Sequence, residues 1–346
     1  MKEVDYIVVG LGIAGISICE QLEAQGKRFV VFNSGSGATV KSGGILNPTV
    51  LKRFTAAWNA TEFFEYAIPF YNKLSEKLKE EIFTPTPVLR IFKSVEEQNN
   101  WTVASDKKEL GAFLSAELIK NSNPSVLAPF GFGRVNGTGR IHAAQLLASY
   151  KKYLDSSGSF SSEEFDYNLL QEREGGIQYK DISATKIIFS EGATAVNNPY
   201  FPKNALIGNK GEYVIIKAPE LNTNDFLKGS MFVIPLGNDE YKVGATYARE
   251  DYSSMPTEDA KKQILSKMES FINCKYEVVD QVTGVRPTTK DRKPLLGSLS
   301  SVPDKVFFNG LGTRGFLMAP LLSEMLYKYL ENKLPLPKEL DINRMC

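Results

Sequence analysis

The chain opens with an uninterrupted apolar run, Tyr6-Ile7-Val8-Val9, then a glycine-rich turn, a helical pattern through Leu22 and a second apolar run, Phe29-Val30-Val31-Phe32. Two apolar runs bracketing a helix within about 30 residues predict a strand–helix–strand unit. From Phe54 to Leu78 the pattern lengthens: Phe54, Trp58, Phe63, Phe64, Tyr71, Leu74 and Leu78 recur at roughly helical spacing and predict core-facing helix. Pro85 to Lys93 reads as a strand in a different layer, and the glycines from Gly131 to Gly139 mark a turn-rich return to the first domain. A helix is predicted from His142 to Leu154, and short strands then lead to Ile187-Ile188-Phe189. Alternation between Tyr213 and Ala248 predicts an antiparallel sheet, with Gly237-Asn238-Asp239 as one of its turns. An amphipathic helix follows from about Thr257 to Ile272, with Glu258 and Asp259 near its positive end.

The first turn, Gly10-Leu11-Gly12-Ile13-Ala14-Gly15, carries the chemistry. Between a buried strand and a helix, glycines let the backbone approach a pyrophosphate, which free N–H groups and the helix dipole then hold. The position after the second strand normally carries a ribose-binding acid, and here it is Asn33, with one acceptor oxygen in place of a carboxylate. The small residues that follow, Ser34 to Ala38 and Ser42-Gly43-Gly44-Ile45, read as a cofactor-facing segment. Ser190-Glu191-Gly192-Ala193 ends a strand where a doubly wound sheet commonly meets its cofactor again. Val306-Phe307-Phe308-Asn309 runs into Gly310-Leu311-Gly312-Thr313-Arg314-Gly315, and Ala319-Pro320 leads a helix with Leu322, Met325, Leu326 and Tyr329. This second unit would aim a helix N-terminus at an electron-rich group.

Composition narrows the function class. With 346 residues and 42% hydrophobic content the chain can bury a core spanning two substructures. Forty-one basic and forty acidic side chains leave a net charge of +1, which gives no bulk electrostatic reason to expect nucleic acid or an anionic membrane. Cys19, Cys274 and Cys346 are widely spaced and odd in number, so neither a disulfide framework nor a metal site is expected, and a reducing cytoplasm suits them. The passage from Met1-Lys2-Glu3 straight into the first strand leaves no room for a secretion signal, and no apolar stretch reaches membrane-spanning length.

Between the two glycine units lies Gly284-Val285-Arg286-Pro287-Thr288-Thr289-Lys290-Asp291-Arg292-Lys293-Pro294-Leu295-Leu296-Gly297, dense in turn formers and charge. Together, Gly10 to Gly15, Gly284 to Gly297 and Gly310 to Pro320 resemble the D-amino-acid oxidase family of FAD-dependent oxidoreductases, in particular its glycine and sarcosine oxidase branches. Gly310 to Gly315 and Ser42 to Pro48 are also similar to the FAD-oxidase half of bifunctional enzymes that make methylaminomethyl-thiouridine in tRNA. The resemblance implies an α/β fold: a Rossmann-like FAD-binding domain (1–50, 131–200 and 283–346) and an α+β substrate domain on an antiparallel sheet (51–130 and 201–282). It implies noncovalent FAD, with Gly10, Gly12, Ile13, Ala14 and Gly15 at the pyrophosphate and Asn33 and Ser34 near the ribose. Ser42, Gly43, Gly44, Ile45 and Gly192 would lie along the cofactor, and Gly312, Thr313, Arg314, Gly315 and Phe316 at the pyrimidine edge of the flavin.

Arg286 is the leading catalytic candidate, because a guanidinium fixes a carboxylate's position and plane through two parallel bonds. The structural alternative is an ion pair with Asp291 or another acid. Arg314 is either a second anion contact or a cap for the glycine turn. Tyr247, with Tyr213 and Tyr241, would hydrogen-bond a substrate or simply pack in the sheet. Arg53 and Arg90 read as solvated by default. Amine oxidation by such a flavin requires a neutral amine presenting its α C–H to flavin N5 and little acid–base help. That suits a chain whose one histidine, His142, reads as structural. The leading reading is therefore an FAD-dependent oxidoreductase for a small amine or amino acid. A tRNA wobble-uridine oxidase and a flavin binder without turnover are the alternatives, and a nicotinamide dehydrogenase would leave the C-terminal unit unexplained.

Overall fold

The computed structural model describes residues 2–345. An eight-stranded sheet orders Phe160–Ser161, Phe29–Phe32, Lys2–Val9 and Ile182–Phe189 in parallel. The two halves of Ile182–Phe189 take different partners: the first pairs antiparallel with Gly176–Tyr179, the second parallel with Lys305–Asn309. The apolar run at the start of the chain is buried on both faces. Tyr6 and Val8 enter one core with the helices Ile13–Ala24, Ala60–Leu78 and Gly315–Asn332, whereas Ile7 and Val9 enter another with Phe165, Tyr179 and Phe307. This is why the run is continuous rather than alternating.

A nine-stranded sheet lies beside it, built largely from antiparallel pairs that include Ile207–Lys217, Glu240–Gly244 and Phe232–Gly237. Here alternation rules. Val214, Ile216, Val233 and Val243 pack with Ile264 and Met268 of the helix Glu258–Glu269, while Tyr213, Phe232 and Ile234 join the core shared with the first sheet. The side chain of Thr257 caps that helix by accepting from the Ala260 amide at 3.3 Å.

Three segments differ from the sequence expectation. Gly284 to Thr288, read as turn, is the end of the strand Glu277–Thr288, which pairs with Ile207–Lys217 along its length. Pairing of Val282, Thr283, Val285 and Thr288 outweighs the local turn tendency of Gly284 and Pro287, and the expected boundary at 283 falls inside this strand. Phe132–Val135, expected in the first domain, pairs with Val88–Ile91 and Leu114–Ile119 of the nine-stranded sheet. Ala60–Leu78, expected with the substrate domain, packs on the C-terminal helix, and Tyr71 donates its hydroxyl to the Phe316 carbonyl at 2.7 Å.

The first glycine turn is also a packing solution. Gly10 has φ +97°, and a Cβ there would lie 2.5 Å from the Ser190 carbonyl oxygen; a Cβ on Gly15 would lie 2.0 Å from that of Gly10. Gly15→Ala should destabilise the apo protein by about 1–3 kcal/mol through overpacking, read as a lower urea midpoint with unchanged slope.

Candidate active site

Three segments from distant parts of the chain meet above the C-terminal ends of the parallel strands. The helices Ile13–Ala24 and Gly315–Asn332 approach at their first turns, where a Cβ on Gly315 would lie 3.0 Å from Ile13 Cγ2. Thr39 joins them, its hydroxyl accepting from the Ile13 amide at 3.1 Å. Asn33 accepts from the Leu11 amide at 2.8 Å and donates to the Gly35 carbonyl at 2.7 Å, so its acceptor oxygen braces the glycine turn. Among the described residues nothing accepts from the amides of Gly12, Ala14 and Gly15. Unpartnered amides at a helix N-terminus with no acidic residue in its first turn suit a phosphate group, so these residues fit the pyrophosphate of FAD. Ser34 and Thr313 are exposed beside the turns. Gly192 has φ +60° and accepts from the side chain of buried Asn309 at 2.9 Å, tying the third strand end to the C-terminal turn.

Ser42 to Ile45 runs between this cradle and the nine-stranded sheet. Gly44 has φ +67°, with the Ile141 carbonyl 2.2 Å from where a Cβ would stand, so only glycine fits. A Cβ on Gly43 would lie 2.5 Å from Ile234 Cδ1 and 3.4 Å from the Tyr213 hydroxyl, so this segment touches the inner face of the sheet. Register puts Arg286 opposite Asn209, on the face that also bears Gly211 and Tyr213. The guanidinium lies across Gly211, where a Cβ would come within 2.1 Å of Nη2. It donates to the carbonyls of Thr246 at 3.2 Å and Asn209 at 3.5 Å and stands 4.5 Å from the Tyr247 ring centroid.

No carboxylate among the described residues lies within 4.0 Å of Arg286. Asp291, the partner named in the structural alternative, pairs instead with Arg344 at 3.1 Å. Arg286 is thus a half-buried cation fixed by neutral oxygens, with the half-buried phenol of Tyr213 beside it. Burial pushes the Tyr213 phenol up against the pull of Arg286, so Tyr213 remains a neutral hydrogen-bonding group. Tyr247 is 68% exposed, so it borders the site rather than packing in the sheet.

On the opposite face of the same strand, Lys210 and Glu212 form a buried pair at 3.3 Å. Lys210 donates to Ser253 Oγ at 2.9 Å and the Met255 carbonyl at 2.6 Å, and Glu212 accepts from the Thr257 amide at 2.7 Å and from Gln281 Nε2 at 2.9 Å. This network fastens the segment after Tyr247 to the strand that seats Arg286. Partners satisfy both charges, as burial requires.

The remaining candidates separate cleanly. Arg314 donates to the carbonyls of Asn47 at 2.7 Å and Thr49 at 3.0 Å, bracing that segment rather than its own turn. Arg90 is buried and paired with Glu97 at 3.1 Å, while Arg53 is exposed. Tyr241 packs on the helix side of the sheet. His142 Nε2 meets the Thr84 hydroxyl at 2.8 Å, and burial together with Arg140 holds its pKa below the usual value. Gly211, Thr39 and Asn309 were not marked by the sequence: one is a lone glycine in a strand, and the others act through partners distant in the chain. Among the described residues no helix is long and apolar enough to cross a membrane, and no cluster of His, Cys, Asp and Glu is arranged to hold a metal.

The description of the DAO family, FAD dependent oxidoreductase, matches residues 5–328. A glycine oxidase of Bacillus subtilis is 21% identical, over 96% of this chain and 94% of its own length. A tRNA 5-methylaminomethyl-2-thiouridine biosynthesis bifunctional protein of Campylobacter jejuni is 24% identical over 89% of this chain, which spans only 48% of that protein. The crystal structure of iminodiacetate oxidase from Chelativorans sp. BNC1 has the same fold, with a TM-score of 0.80 at 18% identity over 97% of this chain and 98% of that one. With a family match across nearly its whole length and a glycine cradle suited to a dinucleotide, the chain belongs to the DAO family of FAD-dependent oxidoreductases.

Proposed function

We propose that this enzyme oxidises the C–N bond of a small amine that carries a carboxylate, an amino acid or N-substituted glycine, and that Arg286 anchors that carboxylate. The observation that carries the reading is the seat of Arg286: a cation with no carboxylate partner among the described residues, held over Gly211 by two carbonyls on the sheet face that also bears Tyr213. A bidentate substrate carboxylate completes it. Gly10 to Gly15, Asn33 and the start of the C-terminal helix would hold FAD, and Ser42 to Ile45 would lie along its flavin. When bound, FAD supplies the hydride acceptor at N5.

The chain's own contribution is orientation. Arg286 fixes one end of the substrate, Tyr213 offers a neutral hydroxyl beside it, and Tyr247 shields the guanidinium from the solvent side. Confining the α C–H in this way supplies the entropy advantage on which such a reaction depends. The site needs no histidine, and His142 is engaged with Thr84. The resemblance to the tRNA-modifying protein supports a second reading, an N-carboxymethyl amine on a wobble uridine, for which Arg286 would play the same part. The chain's net charge of +1 favours the small substrate.

Anaerobic bleaching of the bound flavin against glycine, sarcosine, proline, D-amino acids and carboxymethylaminomethyl-uridine tRNA tests the reading directly. Bleaching by a carboxylate-bearing small amine supports it, bleaching by the tRNA alone selects the second reading, and a silent panel counts against both. Arg286→Ala should raise KM for the reactive carboxylate amine by an amount corresponding to about 2–5 kcal/mol and leave FAD content unchanged; unaltered kinetics would remove Arg286 from the site. Gly211→Ala, which keeps the charge but fills its seat, should raise KM in the same direction. Asn33→Ala should remove about 0.5–1.5 kcal/mol of stability and weaken FAD retention on dilution, measured by fluorescence of released flavin.

A further inference from the structure

The cover of Arg286 comes from a segment that has no core of its own. Residues 246–257 follow the strand Glu240–Gly244, run along the strand Ile207–Lys217 and end at the helix Glu258–Glu269. From 247 to 257 no side chain is buried, and Met255 is 72% exposed. Apolar burial therefore does not fix this strap, and polar bonds must. Its near end is held by the backbone of Glu212, whose amide donates to Thr246 Oγ1 at 3.0 Å and whose carbonyl accepts from the Thr246 amide at 3.2 Å. A short ladder follows, in which Ala248 and Arg249 pair with Lys210 and Asn209.

Beyond that ladder the strap depends on the two buried charges behind the sheet. Lys210 reaches the Asp251 carboxylate at 3.6 Å, Ser253 Oγ at 2.9 Å and the Met255 carbonyl at 2.6 Å, while Glu212 accepts from the Thr257 amide at 2.7 Å and the Thr257 hydroxyl at 2.9 Å. Gln281 closes the set, donating both to Glu212 and to the Thr257 carbonyl at 2.9 Å. Glu212 thus binds both ends of the strap, one through its backbone and the other through its carboxylate. At the near end the strap delivers the Thr246 carbonyl, 3.2 Å from Arg286 Nη1, and the Tyr247 ring, whose centroid stands 4.5 Å from the guanidinium. A buried ion pair is a weak source of net stability, because desolvation offsets the attraction. Here its bonds converge on one segment, and that segment touches the proposed carboxylate anchor.

We infer that Lys210 and Glu212 are positioning residues for carboxylate binding: from behind the sheet they hold the strap 246–257 so that its first two residues stay on the Arg286 guanidinium. This inference rests on the proposed role of Arg286. The pair touches neither substrate nor cofactor, and its effect is selective for a charged ligand, since it acts through the orientation of one cation.

The test uses the FAD-loaded protein and needs no turnover. Acetate and its neutral isostere acetamide are titrated against the flavin's visible absorbance, and amide hydrogen exchange is followed in the strap and in the core strand Lys305–Asn309. The paired replacement Lys210→Met with Glu212→Leu removes both charges together, so neither is left buried alone. It should speed exchange across 250–257 and weaken acetate about tenfold, with acetamide binding, FAD content and exchange in Lys305–Asn309 unchanged. Thr246→Val removes the hydroxyl bonded to the Glu212 amide but keeps the carbonyl; it should lower acetate affinity in the same selective way, and Thr246→Ser should keep it. This second arm decides if the paired replacement does not fold. Unchanged strap exchange, unchanged acetate affinity, or a loss shared equally by acetamide would overturn the inference, the last because a general loosening of the site does not single out a charge. Arg286→Ala separates the two claims. A preference for acetate over acetamide that persists there sinks the Arg286 reading, whereas a preference lost there and kept in the paired replacement sinks only the role of the strap.

Discussion

The close crossing at Gly10 is the constraint on which the rest of the architecture depends. The end of the first strand, the Ser190 carbonyl and the start of the first helix meet at distances no Cβ could enter, and the Ser190 hydroxyl adds bonds to the carbonyls of Val9 at 3.1 Å and Gly10 at 3.0 Å. That approach lets the helix Ile13–Ala24 lie against Gly315–Asn332 with both N-termini facing one side. Two helix dipoles then converge on the same space, and a cofactor with a phosphate end and a redox end can span it.

The substrate side is built by a different device. A glycine in a strand interior normally weakens the strand, yet Gly211 makes the bed for a guanidinium. Around it, carbonyls of Asn209 and Thr246 satisfy the N–H donors without neutralising the charge. The face behind is occupied by the Lys210–Glu212 pair, whose charges are matched and enclosed. The strand Ile207–Lys217 thus carries a closed ion pair on one face and on the other beds a cation, Arg286, from the neighbouring strand Glu277–Thr288.

Much of this was legible in the chain. The apolar runs, the two strand–glycine–helix units and the alternating region between Tyr213 and Ala248 specify the two sheets, because burial on two faces and burial on one leave different periodicities. The glycines at 10, 15 and 44 were readable because a backbone carbonyl oxygen stands 2.0–2.5 Å from where a Cβ would lie and leaves no residue but glycine. The strand Glu277–Thr288 was not, since its conformation is set by pairing with Ile207–Lys217, a partner some 70 residues earlier in the chain.

What the sequence by itself determined was the dinucleotide fold, the presence of a second, antiparallel sheet and Arg286 as the residue to watch. Only the tertiary structure decided what each charge does. Arg286 and Arg314 are the same residue type in similar glycine-rich surroundings, yet one lies across Gly211 with long bonds of 3.2 and 3.5 Å to the carbonyls of Thr246 and Asn209, and the other ties down the Asn47–Thr49 segment through bonds of 2.7 and 3.0 Å. Asp291 is five residues from Arg286 and pairs with Arg344 instead. Local sequence fixes which groups are charged, but whether a charge is paired depends on which distant segments the sheet register brings beside it, and that is a property of the folded chain alone.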